Sequence, residues 1–196
     1  IAILGKGGAG KTSLALQYAY KALKGKVYDA IFWVWSDTKS SLVKGYKKIL
    51  DALGISSEGL RVRGDDIIGL VKEHLPKFGK CLIIYDDVSD PVFLEEKVPQ
   101  GIHSLCTSRC NQGWENCRLN LNVFSSEDSI RYFLNITGLQ DSDDNKKIAR
   151  ELADELGHLP LALSHAAHYI RLEEGENVST HSFRKGIITE MGVSGI

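Results

Sequence analysis

A glycine-rich run near the start of the chain has the residue types and spacing of a phosphate-binding loop. Residues 5–12 read GKGGAGKT and match the pattern G-x-x-x-x-G-K-[ST]. Small residues let backbone N–H groups wrap a phosphate, and the following helix adds partial positive charge at its N-terminus. Lys11 is predicted to reach the β- and γ-phosphates of a nucleotide, and the Thr12 hydroxyl to hold Mg²⁺. The residues predicted to line the phosphates are Gly5, Lys6, Gly7, Gly8, Ala9, Gly10, Lys11, Thr12 and Ser13.

Two adjacent carboxylates, Asp86 and Asp87, follow an apolar run over residues 81–85. A carboxylate at the exposed end of a strand can hold the water shell of a metal ion, so Asp86 is predicted to join Thr12 at Mg²⁺. Asp87 is placed to polarise an attacking water as a general base. Two aspartates at a strand end are also common turn formers, but the loop upstream favours the metal site.

Arg109 follows the apolar run over residues 103–107, where another strand is expected to leave the sheet. An arginine at the ligand edge of a sheet can sense a γ-phosphate. The candidate catalytic residues are therefore Lys11, Asp87 and Arg109. An ordinary surface arginine explains the same position equally well, and the residues themselves leave both interpretations open.

The elements that must position these residues alternate along the first two thirds of the chain. Apolar, strand-like runs at 1–4, 30–35, 81–85 and 103–107 are separated by helical patterns, and 118–123 alternates apolar and polar residues. In the first helix, the apolar stripe at helical spacing consists of Leu16, Ala19, Tyr20 and Leu23. The alternation predicts an α/β fold, a three-layer sandwich with a mostly parallel sheet between helices.

The pattern changes near Ser125, where the run Ser-Ser-Glu-Asp resembles a capping box and only helical patterns follow. We therefore predict two domains: an α/β domain over residues 1–124 and a small helical subdomain over 125–196, which ends in a polar tail from Glu173.

Composition excludes several classes of partner. Lys plus Arg number 24 and Asp plus Glu number 25, which gives no basic signature for a nucleic-acid partner. No apolar run is long enough to span a bilayer, and no signal peptide is apparent, so we expect neither a membrane partner nor export. The four cysteines are interpreted as reduced thiols, and the protein as cytoplasmic. A zinc site from His103, Cys106, Cys110 and Cys117 would match no standard spacing.

Taken in order, these motifs resemble the nucleotide-binding core of the NB-ARC group of STAND ATPases, signalling switches that include apoptotic and plant immune receptors. Beyond the phosphate loop, the matching segments are Tyr28-Asp-Ala-Ile-Phe-Trp-Val, Leu82-Ile-Ile-Tyr-Asp-Asp-Val, Thr107-Ser-Arg and Leu156-Gly-His-Leu-Pro-Leu-Ala-Leu. The resemblance spans residues 1–172 and extends to members whose parent protein carries tetratricopeptide repeats.

The resemblance implies a P-loop NTPase fold, ATP or ADP as ligand with Mg²⁺, and slow hydrolysis. It makes Asp86 the Walker B metal residue, Arg109 the first sensor arginine and Pro160 the proline beside the adenine. The segment after 125 would be the first ARC subdomain. The partners implied are other domains of the parent protein and, in the ATP state, further copies in a homo-oligomer.

The sequence departs from the family pattern in two places. His158 stands where the family commonly has glycine. The winged-helix subdomain, with its Met-His-Asp type motif, is absent from the sequence, so the family's resting lock is expected to be incomplete.

Two alternatives remain open. Lys6, together with Lys11, also fits the deviant loop of partition-type ATPases, which dimerise on ATP; Lys6→Ala would then abolish dimerisation with binding retained. The second alternative is a nucleotide-binding platform without turnover.

Overall fold

The computed structural model describes residues 1–55, 63–114 and 117–173, so the predicted polar tail lies outside the described residues from 174 onward. In chain order, the elements are β1 (Ala2–Leu4), α1 (Lys11–Lys24), β2 (Ala30–Trp35), α2 (Lys39–Ala52), α3 (Gly64–Phe78), β3 (Cys81–Val88), α4 (Pro91–Glu95), β4 (His103–Ser108), β5 (Arg118–Asn120), α5 (Ser126–Thr137), α6 (Asp143–Glu155) and α7 (Pro160–Glu173).

The strands form one parallel sheet in the order β2-β3-β4-β1-β5. Side chains of successive strand residues point to opposite faces, so Ile83 packs in one core and Ile84 in another. The first core contains α2 and α3, and the second contains α1. This arrangement confirms the predicted α/β sandwich. Since parallel strands end at one edge, the residues that follow Leu4 and Tyr85 come together there.

The buried stripe of α1 shares only Ala19 with the predicted one. Ala15 and Ala22 are buried and Ala19 packs partly against the same core, whereas Leu16, Tyr20 and Leu23 are 43%, 62% and 57% exposed. The two stripes are one residue apart, which is about 100° around a helix. Alanines allow the helix to approach the sheet closely, and this close approach turns the larger side chains outward.

The second unit begins at Asn122 and is helical in its described part. Ser125 caps α5, since its hydroxyl accepts a hydrogen bond from the Asp128 N–H at 3.1 Å. Phe133 of α5 is fully buried in a cluster that includes Ala149 of α6 and Ala166 of α7. Three helices thus share one small core. Within the described ranges of the chain, no helix is both long and apolar enough to cross a membrane.

The four cysteines are free, and they divide by exposure: Cys81 and Cys106 are buried, Cys110 is intermediate and Cys117 is exposed. Burial raises the pKa of Cys106 to about 12 and also raises the pKa of Cys81. Among the residues that the structure describes, no three His, Cys, Asp or Glu side chains form a group that could hold a metal ion.

Thiol reactivity should follow this division. At pH 8 a thiol of pKa about 12 is ionised to only about one part in ten thousand, so Cys106 should not react in the folded protein. We expect a disulfide reagent to modify Cys117 and Cys110 rapidly, and all four thiols after denaturation. Peptide mapping after a short pulse gives the sites, with Cys117→Ser as the control that removes the fastest reaction. Rapid labelling of Cys106 in the folded protein would contradict the buried placement.

Candidate functional site

The loop between β1 and α1 has a backbone that needs glycine. Gly8 and Gly10 have φ angles of +76° and +97°, in the left-handed region that side chains disfavour. Gly5 needs glycine for a different reason, because a Cβ there would lie 2.5 Å from the carbonyl oxygen of Leu121. Gly10 directly precedes Lys11, the first residue of α1, so the loop ends on free N–H groups at a helix N-terminus. This geometry suits an anion.

Lys11 is folded back over this loop. Its Nζ donates to the carbonyl oxygens of Gly5 and Lys6, both at 2.9 Å, and the residue is only 8% exposed. Burial lowers the pKa of Lys11, and the nearby Arg109 guanidinium lowers it further, while the two carboxylates of β3 act in the opposite direction. An ammonium has three donors, and two are used here, which leaves one for an anion in the loop.

Asp86 lies beside the loop, on β3, an interior strand of the sheet between β2 and β4. Its Oδ1 accepts hydrogen bonds from Thr12 Oγ1 at 3.0 Å and from Thr107 Oγ1. The residue is fully buried, and its Oδ2 has no hydrogen-bond partner among the described residues. A buried carboxylate oxygen without a partner is costly.

This orphaned oxygen is the observation that tests the predicted Mg²⁺ site. Thr12 and Asp86, 74 residues apart in sequence, present a hydroxyl and a carboxylate side by side. Mg²⁺ in nucleotide sites takes one or two protein oxygens and keeps water and phosphate as its other ligands. Thr12 and Asp86 therefore fit Mg²⁺, and these two residues would hold the ion.

Asp87 lies in a β-bulge. The pairing of β3 with β4 shifts register between Tyr85 and Val88, and Asp87 has a φ of +57°. Its N–H donates to Thr107 Oγ1 at 2.9 Å. A left-handed aspartate costs about 1 kcal/mol or more, and such bulges often direct side chains at functional sites. Here the bulge interrupts the alternation of side chains just where the two carboxylates stand.

Arg109 lies beside both the loop and Asp87. Its Nη2 is 3.3 Å from Asp87 Oδ2, in an ion pair whose side chains are 65% and 38% exposed. A pair this exposed adds little stability. A Cβ at Gly7 would lie 3.9 Å from Arg109 Nη1, which puts the guanidinium next to the phosphate loop. The candidate catalytic side chains are thus neighbours.

The remaining predicted residues lie as follows. Lys6 and Gly7 are exposed in the loop, and Ser13 is exposed in the first turn of α1. Ala9 is buried under the loop. Pro160 is the first residue of α7, in the second unit, and its predicted role at the adenine stays a prediction.

Thr107 and Ser108 are site residues that the sequence argument did not assign. Thr107 Oγ1 donates to the Asp86 carboxylate and accepts from the backbone N–H of Asp87, and Ser108 Oγ donates to the Val88 carbonyl oxygen at 2.6 Å. The Cys110 N–H donates to Ser108 Oγ at 3.0 Å. The sequence carries two signals: the segment Thr107-Ser-Arg is one of those that resemble the family, and two hydroxyl residues stand at the end of a buried strand, where apolar residues are more usual.

His158, the departure from the family's glycine, has a φ of +56°. Its N–H donates to the Ala153 carbonyl oxygen at 2.9 Å. The ring shares a hydrogen bond with Ser129 Oγ at 3.0 Å through Nδ1, and Nε2 lies 3.1 Å from Asp154 Oδ1. The backbone therefore has the shape that glycine adopts most easily, and the side-chain contacts of histidine offset the strain.

This balance predicts an order of stability for variants at this position. His158→Gly should lie within about 1 kcal/mol of the wild type, because relief of the backbone strain offsets the lost contacts. His158→Ala keeps the strain and loses the contacts, so it should be less stable by about 1–2 kcal/mol. Urea unfolding followed by circular dichroism gives both values. An alanine variant as stable as the glycine variant would show that the left-handed backbone costs nothing here.

The fold and the loop together define a P-loop nucleotide-binding domain. The family model described as the NB-ARC domain matches residues 1–142, and the chain therefore belongs to the NB-ARC family. No curated protein sequence matches the chain.

Solved structures share the fold at low sequence identity. Cdc6p from Pyrobaculum aerophilum superposes with a TM-score of 0.60 at 14% identity, over 94% of this chain and 55% of that one. The Walker-type ATPase PABY2304 of Pyrococcus abyssi gives 0.58 at 11%, over 97% and 66%. Drosophila ORC, in a structure bound to DNA, gives 0.53 at 13%, over 100% and 63%. The chain thus spans less than two thirds of each of these chains.

Proposed function

We propose that this chain binds ATP and ADP with Mg²⁺ and is the core of a signalling switch that hydrolyses ATP slowly. The observation that carries the proposal is the Oδ2 of buried Asp86, which has no partner among the residues that the structure describes and lies beside Thr12 and the loop that Lys11 crosses. Loop N–H groups and the N-terminus of α1 would bind the phosphates, and the remaining Lys11 donor would reach the terminal ones.

Mg²⁺, when bound, neutralises charge on the phosphate oxygens. Hydrolysis requires one proton to be taken from water as its oxygen attacks the γ-phosphorus in line and the bond to the β-phosphate oxygen breaks. Asp87 is proposed to accept that proton, and the products are ADP and inorganic phosphate. In the structure this carboxylate is paired with Arg109. A carboxylate engaged by a guanidinium has fewer lone pairs free to accept from a water, which gives a physical reason for slow turnover.

A switch needs states that differ in their affinity for the two nucleotides, because a ligand shifts an equilibrium only by that difference. The proposed assignment is a nucleotide-binding domain over residues 1–124 and an ARC1-like subdomain from 125 onward, with Pro160 facing the adenine. Nucleotide state would control contacts with other domains of the parent protein and assembly into a homo-oligomer. Family membership supports this part of the proposal; a cytoplasmic location is proposed with it.

The test has two steps. The purified protein is denatured and any released nucleotide is identified by chromatography, and ATP turnover is then measured for the wild type and Asp87→Asn. We expect an adenine nucleotide, wild-type turnover well below about 1 s⁻¹, and a further loss of about 10²-fold in the variant with binding retained. A protein that binds no adenine nucleotide, even with added Mg²⁺ and ATP, would overturn the proposal. Unchanged turnover in Asp87→Asn would remove Asp87 from the mechanism.

One observation favours the second candidate, a nucleotide-binding platform without turnover. The Asp87 carboxylate, the only proposed base, is engaged by Arg109. If that pair persisted with nucleotide bound, water would not be polarised. Bound nucleotide with no turnover in wild type or variant would establish the platform. Among the described residues, no observation favours the partition-type alternative, since Lys6 enters the site through its carbonyl oxygen.

A further inference from the structure

We propose that Thr107 is a positioning residue that uses one hydroxyl group to orient both carboxylates, Asp86 for the metal and Asp87 for water. The inference rests on the proposed function and assigns a role to a side chain at the same site. It starts from two hydrogen bonds of the Thr107 hydroxyl, to Asp86 Oδ1 and to the N–H of Asp87.

The direction of both bonds follows from chemistry. The N–H of Asp87 can only donate, so Thr107 Oγ1 accepts there, at 2.9 Å. The single proton of the hydroxyl is then free for Asp86 Oδ1, which as a carboxylate oxygen can only accept. Thr107 is 1% exposed, so water does not compete for either bond. The one proton of the hydroxyl is used, and the direction of each of the two bonds is fixed.

The first bond sets the rotation of the Asp86 carboxyl group. Its Oδ1 receives two hydroxyl donors, from Thr12 and Thr107, and Oδ2 receives none among the described residues. Without the Thr107 donor, the carboxylate could rotate and exchange its two oxygens. The donor therefore keeps one oxygen unpartnered and available to a cation. Such outer hydrogen bonds orient a ligand and tune its affinity for metal.

The second bond holds the backbone of Asp87. Tyr85 pairs with Cys106 and Val88 pairs with Ser108, so two residues of β3 stand opposite the single residue Thr107. This count defines a β-bulge, and a left-handed φ within it persists only when its surroundings hold it. Thr107 lies opposite the bulge and accepts from its strained residue. Loss of this acceptor would leave an unpaired N–H and shift the Asp87 carboxylate.

The test compares Thr107→Val, which has the same shape without the hydroxyl, with Thr107→Ser, which keeps the hydroxyl. The affinity for a fluorescent ADP analogue is measured with Mg²⁺ and with a chelator, and ATP turnover is measured alongside. We expect the valine variant to bind the analogue like the wild type in chelator, and to lose about 10–100-fold in Mg²⁺-dependent affinity and in turnover. The serine variant should recover both.

Several results would overturn the inference. One is a valine variant with the wild-type response to Mg²⁺ and wild-type turnover. Another is an equal loss of affinity with Mg²⁺ and with chelator, which a merely structural role predicts. If the valine variant does not fold, Thr107→Ser and Thr107→Ala form a second pair that differs only in the hydroxyl, and equal responses in that pair would again overturn it. A wild type that binds no nucleotide would instead overturn the proposed function, and this inference with it.

Discussion

Lys11→Ala is expected to weaken the binding of ADP severely. In the structure the Lys11 ammonium crosses the loop, donates to the carbonyl oxygens of Gly5 and Lys6, and has one donor left. The proposed charged hydrogen bond from Lys11 to phosphate would be lost. Removal of one partner of such a pair costs about 2–5 kcal/mol, which is about 30-fold to 5,000-fold in affinity. Isothermal titration with ADP and Mg²⁺ measures the change.

A matched control lies on the same helix. Lys24, in the last turn of α1, is exposed, and Lys24→Ala should leave the affinity for ADP unchanged. The melting temperature of each protein without nucleotide separates loss of binding from loss of fold. Lys11→Ala that folds and binds ADP as tightly as the wild type would show that the loop does not use this ammonium.

Asp86→Asn is expected to have opposite effects on the empty and the loaded protein. Asp86 is fully buried, and only one of its two carboxylate oxygens has a hydrogen-bond partner among the described residues; a buried charge that is only partly satisfied destabilises the folded state. The neutral amide removes that charge, so the protein without nucleotide and Mg²⁺ should melt at or above the wild-type temperature. With ADP present, the additional stabilisation by Mg²⁺ should disappear, because the amide is a poor substitute for a carboxylate ligand.

Thermal unfolding under four conditions, with and without ADP and with and without Mg²⁺, measures both effects. Asp90→Asn is the control. Asp90 Oδ1 caps α4 by accepting from the Phe93 N–H at 2.9 Å, and asparagine caps a helix equally well. The control should keep the wild-type response to Mg²⁺. A variant at Asp86 that still gains stability from Mg²⁺ would place the ion elsewhere.

Some of these features could be predicted because they are local in the chain. The phosphate loop is a run of eight residues whose glycines are needed by its own backbone, as Gly8 and Gly10 show, and whose lysine opens the next helix. The parallel sheet followed from apolar runs that alternate with helical patterns. The choice of Asp86 followed from its place after a buried strand. Each of these inferences used residues that are neighbours in sequence.

Other features depend on how separate elements pack. The stripe of α1 that faces the sheet consists of alanines and not of Leu16, Tyr20 and Leu23, because the depth of packing selects between adjacent stripes of a helix. Helical spacing identifies the helix correctly, but it gives no information on how closely the helix packs against the sheet. One of the side-chain contacts that offset the left-handed backbone of His158 likewise comes from a separate element, since Ser129 stands 29 residues earlier in the chain.

The arrangement of the site shows the same division most clearly. The amino-acid sequence by itself determined the loop, the family and the residue types at the ends of β3 and β4. The tertiary structure decided that a bulge places Asp86 and Asp87 opposite Thr107, that Arg109 pairs with Asp87, and that one oxygen of Asp86 has no hydrogen-bond partner within the described part of the chain. A register shift between two strands is a property of their pairing. The periodicity of either strand alone does not encode this shift, because a bulge exists only where two residues of one strand pair against one residue of its neighbour.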